Sequence, residues 1–482
     1  MIRKLLITLF ICFINISSVF AITTPQKYQT IENFNKAMEK FKSSNVSIAY
    51  TEFEKIVEES PADNDYINII LTGKLSDIGF YNLADKARLK IKDKELSQIP
   101  LKNIDIIFYQ NKKFNVEDEI YLGECFADIT YNNLSKETAK ELTSNTELLE
   151  KYDYALYLAA LALYKDNNLE MADKYLTEAI AKNPKNIMYK YLQVKIFADK
   201  GLREKAFKIA ENIKKDVILT DFYEKKYKEI EEYILYKTSK EEDIKNYHLA
   251  YYYYYRGDYL RALKIIPSAN NKNKKENSKI YALISRNYVA LKEYEKAFQN
   301  AEKSHKLNKK NTDALLLLGD IEFQTKNYKT ALKYYKSAMK YEKNSYKASI
   351  KAAKTYLELD KTAKAKSILQ NILRTSQNYY EAYYLEAITN KNNTQQYLKK
   401  ALGLNSEFID GWLELAKYEI EKSNYQKAQI YLNNAYNLDE TDYKYYYYQG
   451  LLYKNKKDIE NANYNFQKSK ILSSKYIAIK KD

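Results

Sequence analysis

The feature that most constrains this chain is a recurrence at 34 residues. Residues 314–339 read ALLLLGDIEFQTKNYKTALKYYKSAM, with Leu318-Gly319, Tyr328, Ala331, Tyr335 and Ala338 at fixed offsets. One period later Ala353, Ala365 and Leu369 fall on the same places, and one period earlier Ser285, Tyr294, Ala297 and Ala301 do so. Trp412, Leu415, Ala416, Tyr425, Ala428, Leu432 and Ala435 repeat the set, and Gly450, Ala462 and Phe466 follow. A period of this length marks stacked supersecondary units. One such unit cannot bury its own apolar face, so neighbouring units build the core between them.

Composition narrows the type of unit. Only 9 Gly and 5 Pro occur in 482 residues, too little turn punctuation for a barrel or sandwich. Long helices joined by short Asn/Lys turns remain. Each unit reads as two antiparallel helices of ~14 residues, each ~21 Å long.

The offsets have a steric meaning. Position 20 of the unit is Ala at 49, 84, 172, 206, 262, 297, 331, 365, 428 and 462. Position 8 is mostly small: Ala37, Thr72, Ala160, Val194, Ala250, Ser285, Gly319, Ala353, Ala416 and Gly450. These two positions face each other where the paired helices approach most closely. Positions 17 and 24 carry large apolar groups that fill the gap to the next unit. Turn residues such as Gly79, Asn168, Gly201, Gly257, Asn327 and Asn424 precede position 17, and Pro61 and Pro184 follow the second helix.

This pattern resembles the tetratricopeptide repeat family, in particular its exported bacterial members. The resemblance implies an all-α fold, a right-handed superhelical solenoid of about 11–13 antiparallel helix pairs. It also implies that ligands lie in a concave groove lined by positions 2, 5, 9 and 12 of the first helices. The groove residues read that way include Tyr157, Tyr164, Tyr191, Lys195, Tyr247, Tyr251, Tyr254, Arg286, Phe323, Lys354 and Lys417. The groove is then aromatic in its first and middle parts and more basic beyond. In the run Tyr251 to Tyr255, Tyr253 is expected in the core and Tyr251 and Tyr254 in the groove. Family members that grip chaperone C-termini pair Lys at position 5 with Asn at position 9. Tyr191/Lys195, Ala282/Arg286, Leu316/Asp320, Ile350/Lys354 and Leu413/Lys417 do not match.

The pattern breaks twice. The gap between Ala84 and Ala172 is expected to hold one or two divergent repeats over 96–150, with Leu122-Gly123 as a position 7–8 pair. Pro100 is expected at a helix boundary there, and 135–150 as a single helix. Between Ala206 and Ala262 an extra helix fits 221–236, and the polar stretch 237–246 reads as a hinge. The expected organisation is a leader over 1–21, an N-terminal array over 22–236, the hinge, and a C-terminal array over 247–482. A short repeat around Tyr383 has Thr394 where Ala is usual, which puts its second helix in question. Residues 268–279 read as an Asn/Lys loop and 476–482 as a basic tail.

The N-terminus reads as a secretory signal. Arg3-Lys4 precede a mostly apolar stretch from Leu5 to Ile16, and Val19 and Ala21 fit cleavage after Ala21. The apolar stretch falls short of a spanning helix, and no later segment is apolar enough to span. Export to a bacterial periplasm or exterior follows as the expectation, and it weakens any nucleic-acid reading of the +16 net charge.

Little chemistry is legible. The chain has 2 His and 2 Cys, too few for a structural His/Cys metal site. There is no phosphate loop, nucleophile elbow or HExxH motif. Asp63-Asn64-Asp65 resembles the start of a calcium loop but lacks its later ligands and glycine. Cys125 reads as a small interface hydrophobe, and His248 and His305 as surface or groove residues. No catalytic residue, metal ligand or cofactor is assigned, and no enzyme is expected; the divergent stretch 96–150 is the one place with room for an unrecognised carboxylate site. The 51 tyrosines have two readings: A/T-rich codons, or a surface selected for binding. The expected function is a scaffold for a protein partner of the cell envelope, in assembly, secretion or surface attachment. The alternative is binding of an anionic or sugar polymer, such as cell-wall or exported polysaccharide, through the Tyr/Lys groove.

Overall fold

The computed structural model describes residues 29–105, 114–217, 220–267, 273–342 and 345–479. The expected leader over 1–21 lies outside these residues. Every regular element among them is an α-helix, and consecutive helices pack in pairs that stack along the chain. None is long and apolar enough to cross a membrane.

The turn inside each pair sets the period. The first helix ends in a left-handed residue at Asn133, Asn167 and Gly201, at Lys292, Lys326 and Asp360, and at Ser423 and Lys457. Within each series these stand 34 apart. At all of these turns but the one at Asn133, where the Leu134 amide reaches Asp128, the amide one residue later closes onto a carbonyl five residues back, as Asn168 N–H does to Leu163 (2.9 Å) and Asn327 N–H to Glu322 (2.8 Å). This is the Schellman stop, which satisfies carbonyls that the helix end leaves unpaired. Lysine at three of these left-handed positions shows that the tertiary turn outweighs local preference.

Positions 8 and 20 meet as expected. The Ser285 hydroxyl donates to the Ala297 carbonyl (2.7 Å). A Cβ on Gly319 would run into the ring of Tyr335, and one on Gly450 into Phe466 and the Ala462 carbonyl. The position-24 ring therefore lies over the position-8 backbone, and only a small residue leaves it room.

Several expectations over the irregular segments need correction. The left-handed Asn133 puts the helices Val116–Thr130 and Ser135–Ser144 in register with the next two repeats, so position 8 falls at Phe126, not Gly123. Gly123 is small for another reason: it lies against Phe80 and Val46 of the preceding repeats. The single helix expected over 135–150 is two, because Asn145 ends Ser135–Ser144 and caps Thr146–Lys151 by accepting from the Leu148 amide. Pro100 is inside Lys94–Asp105 rather than at its boundary. It forfeits one helical hydrogen bond, and packing of this helix against Thr394–Leu404 offsets the loss. The second helix put in question at Thr394 is present, with Leu398 and Ala401 buried. The loop expected over 268–279 is helical from Lys274, capped by Asn273. Residues 476–479 of the expected tail belong to Ile459–Ile479.

The two ends of the stack meet. Lys94–Asp105 packs on Thr394–Leu404, Lys399 bridges to Asp93 (2.8 Å), and the Asn64 amide donates to Asn434 (3.1 Å). Trp412 is fully buried against Tyr66. One buried apolar cluster accordingly runs through residues 34–196 and 387–452, and the solenoid is closed rather than open-ended.

Candidate functional site

First helices of successive repeats share a face. Residues far apart along the chain meet across it: Glu224, on the extra helix Asp221–Thr238, bridges to Lys347 on Tyr346–Glu358 (2.9 Å). The eleven groove residues all belong to these first helices, and the fold gathers them into four groups.

Tyr157 is buried, stacked between Tyr154 and Tyr189 at 5.9 and 4.9 Å. Tyr164, Tyr191 and Lys195 are overlaid by the extra helix. The Tyr164 hydroxyl donates to Asp199 (2.7 Å) and lies 3.1 Å from the Tyr233 hydroxyl. Lys195 sits 5.9 Å from the centre of the Tyr233 ring with no carboxylate in ion-pair reach among the described residues. Burial pushes its ammonium down to about 8, and Lys226 nearby adds to the shift. The Tyr191 hydroxyl is enclosed without a protein hydrogen-bond partner.

The third group is the tyrosine run. Tyr247 and Tyr251 meet edge to face (5.1 Å), Tyr251 stacks on Tyr255 (6.0 Å), and Tyr254 faces the Arg286 guanidinium (5.8 Å), which pairs with Asp313 (2.6 Å). Tyr251 is buried and Tyr253 only half-buried, the reverse of the sequence expectation for that pair. Tyr253 instead packs beside the extra helix, under the Arg261 guanidinium. Last come Phe323 with Lys354 above its ring (5.2 Å), and Lys417 paired with Glu414 (3.3 Å).

The basic half of the groove is largely neutralised from within. Lys351 pairs with Asp320 (2.7 Å) and Lys444 with Asp410 (2.7 Å), each bond joining one first helix to the next. Tyrosine hydroxyls make similar connections, from first helices, from the extra helix at Tyr233 and from the cap residue Tyr152. Tyr152 donates to Asp118 (2.8 Å), Tyr189 to Asp153 (2.9 Å), Tyr233 to Asp199 (2.9 Å) and Tyr448 to Glu414 (2.9 Å). A phenol is long enough to cross the gap between neighbouring first helices and ends in a donor, so Phe does not replace it there. Part of the tyrosine content thus clips repeats together, a role invisible without the register.

A pocket of about 370 Å³ opens on this face. Lys347, Lys351 and Lys354 line one side; Tyr380, Tyr384 and Phe408 form an aromatic wall, with ring centres 4.9 Å apart at both Phe408 contacts. Glu224 faces it from the extra helix.

Two sequence profiles described as tetratricopeptide repeat match, over residues 322–388 and 290–344. The chain resembles the tetratricopeptide repeat family. No curated protein matches the sequence. Solved structures similar to the chain include MamA, 22% identical over 33% of this chain and 97% of that one, with a TM-score of 0.27. PilF of Pseudomonas aeruginosa is 16% identical over 40% and 90%, with a TM-score of 0.34. A chain of the APC/C hetero-tetramer Cut9–Hcn1 is 14% identical over 96% and 96%, with a TM-score of 0.47.

Outside the groove, the chemistry-bearing residues of this tetratricopeptide-like chain have structural roles. Glu119, in the divergent stretch, is fully buried, and its two oxygens accept from Tyr50 (2.9 Å) and the Asn82 amide (2.7 Å). Burial raises its carboxyl to about 7, against the hydrogen bonds from Asn82 and Tyr50. Cys125 is buried, and burial pushes its thiol up to about 12. Asp65 receives the Lys92 amide (2.9 Å) and the Asp93 amide, and Asn64 caps Asp65–Asp77 by accepting from the Ile67 amide, so the calcium-like triplet is a turn at the closure. His248 faces Glu232 (2.7 Å), and His305 lies edge-on to Tyr334. No cluster of three metal-ligating side chains occurs among the described residues.

Proposed function

We propose that the chain is a non-enzymatic scaffold that holds a protein partner along the inner face of its first helices. The observation that carries this reading is the pocket of about 370 Å³ on that face, walled by Tyr380, Tyr384 and Phe408. Aromatic side chains give large contact area at low rotamer cost, which suits protein interfaces. The basic, apolar and small-residue pattern of residues 1–21 supports a place in the cell envelope, in assembly, secretion or surface attachment.

The pairing of Arg286, Lys351, Lys417 and Lys444 with carboxylates weighs against the anionic-polymer reading. A polyanion gains affinity by neutralising free cations, and most of these are already neutralised.

The test is photo-crosslinking in the native cell from a benzoylphenylalanine placed at Phe323, compared with one at the exposed Leu260 on a second helix. One or two discrete proteins captured from Phe323 and not from Leu260 support the scaffold. Capture of polymer, or equal capture from both positions, overturns it.

A further inference from the structure

Three lysines share one side of Tyr346–Glu358: Lys347, Lys351 and Lys354, spaced by four and three residues. Lys351 is neutralised by the preceding repeat through Asp320. Lys354 lies over Phe323, with no carboxylate in ion-pair reach among the described residues. Lys347 finds its acid only across the groove, in Glu224. The array thus leaves Lys347 and Lys354 at the mouth of the aromatic pocket without an ion pair to a neighbouring repeat, whereas Arg286 and Lys444 receive one; of the array's own carboxylates in the lining, Asp410 is taken by Lys444 and Glu381 makes no ion pair with either lysine.

Glu224 arrives on the first turn of a helix that the 34-residue pattern does not call for. Beside it Phe222 is 67% exposed and Tyr223 is buried near Thr220 and the 403–407 turn. The ion pair it makes is exposed on the lysine side (61%) and half-buried on the other (35%). Such pairs are weak and readily exchanged.

We propose that the pocket over Lys347 and Lys354 is the partner's docking site. It takes a helix that presents an acidic side chain beside an aromatic one, and Glu224 of the chain's own helix holds that place when the partner is absent. This rests on the scaffold reading of the inner face and adds the chemistry of the partner. The acid meets Lys347 and Lys354, and the aromatic ring packs on Tyr380, Tyr384 and Phe408. Charge complementarity selects the partner, and the ring supplies the buried contact.

The probe is a fluorescent peptide of residues 220–238, titrated into the full chain and followed by anisotropy. Lys347→Glu with Lys354→Glu weakens its binding about tenfold or more, and the peptide carrying Glu224→Lys recovers affinity for that doubly reversed chain. Glu224→Gln in the full chain tightens the unmodified peptide several-fold by weakening the internal competitor. Lys347→Gln and Lys354→Gln carry the same test without reversing charge, should the double variant melt differently. Peptide affinity indifferent to the lysine changes, or no recovery with the reversed peptide, overturns the proposal. Partner capture at Phe323 that survives lysine reversal overturns this pocket while leaving the scaffold standing. Absence of capture anywhere on the inner face removes the scaffold instead.

Discussion

The rings of Tyr66 and Trp412 meet edge to face, with centroids 4.9 Å apart and planes at 61°. They belong to early and late repeats, so the contact closes the solenoid on itself. Around it lie the Asn64–Asn434 hydrogen bond and the bridges from Lys399 to Asp93 and Glu95.

Tyr66→Ala is expected to destabilise the chain by about 3 kcal/mol, the cost of deleting a buried aromatic ring. Trp412 is the one tryptophan and fully buried, so its emission reports on the closure. A red shift in the folded variant accompanies an opened ring. Unchanged emission and stability contradict the closure.

Two glycines separate packing from backbone strain. Gly319→Ala drives a methyl into the Tyr335 ring and is expected to cost about 1–3 kcal/mol. Gly201 has open space around it but a φ of +73°, so Gly201→Ala costs only about 1 kcal/mol. Ala331→Trp, at a fully buried position 20, is expected to disrupt its pair outright. Urea melts of the three variants check the order.

Glu119 gives a pH dependence of defined sign. Burial raises its folded pKa to about 7, from an ordinary value of 4.5, with the hydrogen bonds from Asn82 and Tyr50 acting the other way. Between those values the folded state binds more protons than the unfolded, so this group lowers stability as pH rises from 4.5 to 7. Glu119→Gln is expected to flatten that part of the profile and to cost about 1 kcal/mol at pH 4.5 through a lost acceptor. Melting temperatures at pH 5 and pH 8 decide it; an unchanged slope contradicts the burial.

Lys195 acts in the opposite direction. Its folded pKa, lowered to about 8, lies below the ordinary 10.5, so the unfolded chain binds more protons across that window. Stability from this group therefore rises between pH 8 and 10.5 and is reduced below pH 8. Lys195→Met keeps the packing on Tyr233 and removes the desolvated charge. It is expected to stabilise the chain by about 1–3 kcal/mol at pH 7. A destabilised variant would show that the ammonium has a partner worth more than its burial.

The all-α class and the 34-residue unit were legible in the order of residues alone. That order also determined the opposition of positions 8 and 20, because close helix contact is a local steric requirement that Ser285, Gly319 and Gly450 each meet. It located the extra helix at 221 from a break in spacing, and the family resemblance paired the first-helix positions of Phe323 and Lys354, which meet at 5.2 Å. It misplaced Gly123 by three residues, since a small residue is used both for pairing within a repeat and for approach to the repeat before.

The remaining features arise from how the repeats stack. Tyr157 and Tyr251 occupy groove positions by count yet are buried, because Tyr157 stacks on Tyr189 of the next first helix and Tyr251 on Tyr255 of its own. The pairing of groove cations depends on which carboxylate the next repeat brings alongside, as Asp320 does for Lys351. The meetings of Tyr66 with Trp412 and Glu224 with Lys347 depend on the small rotation at every repeat interface, summed over many repeats. A pattern of period 34 fixes each step, but no single repeat encodes where the sum returns.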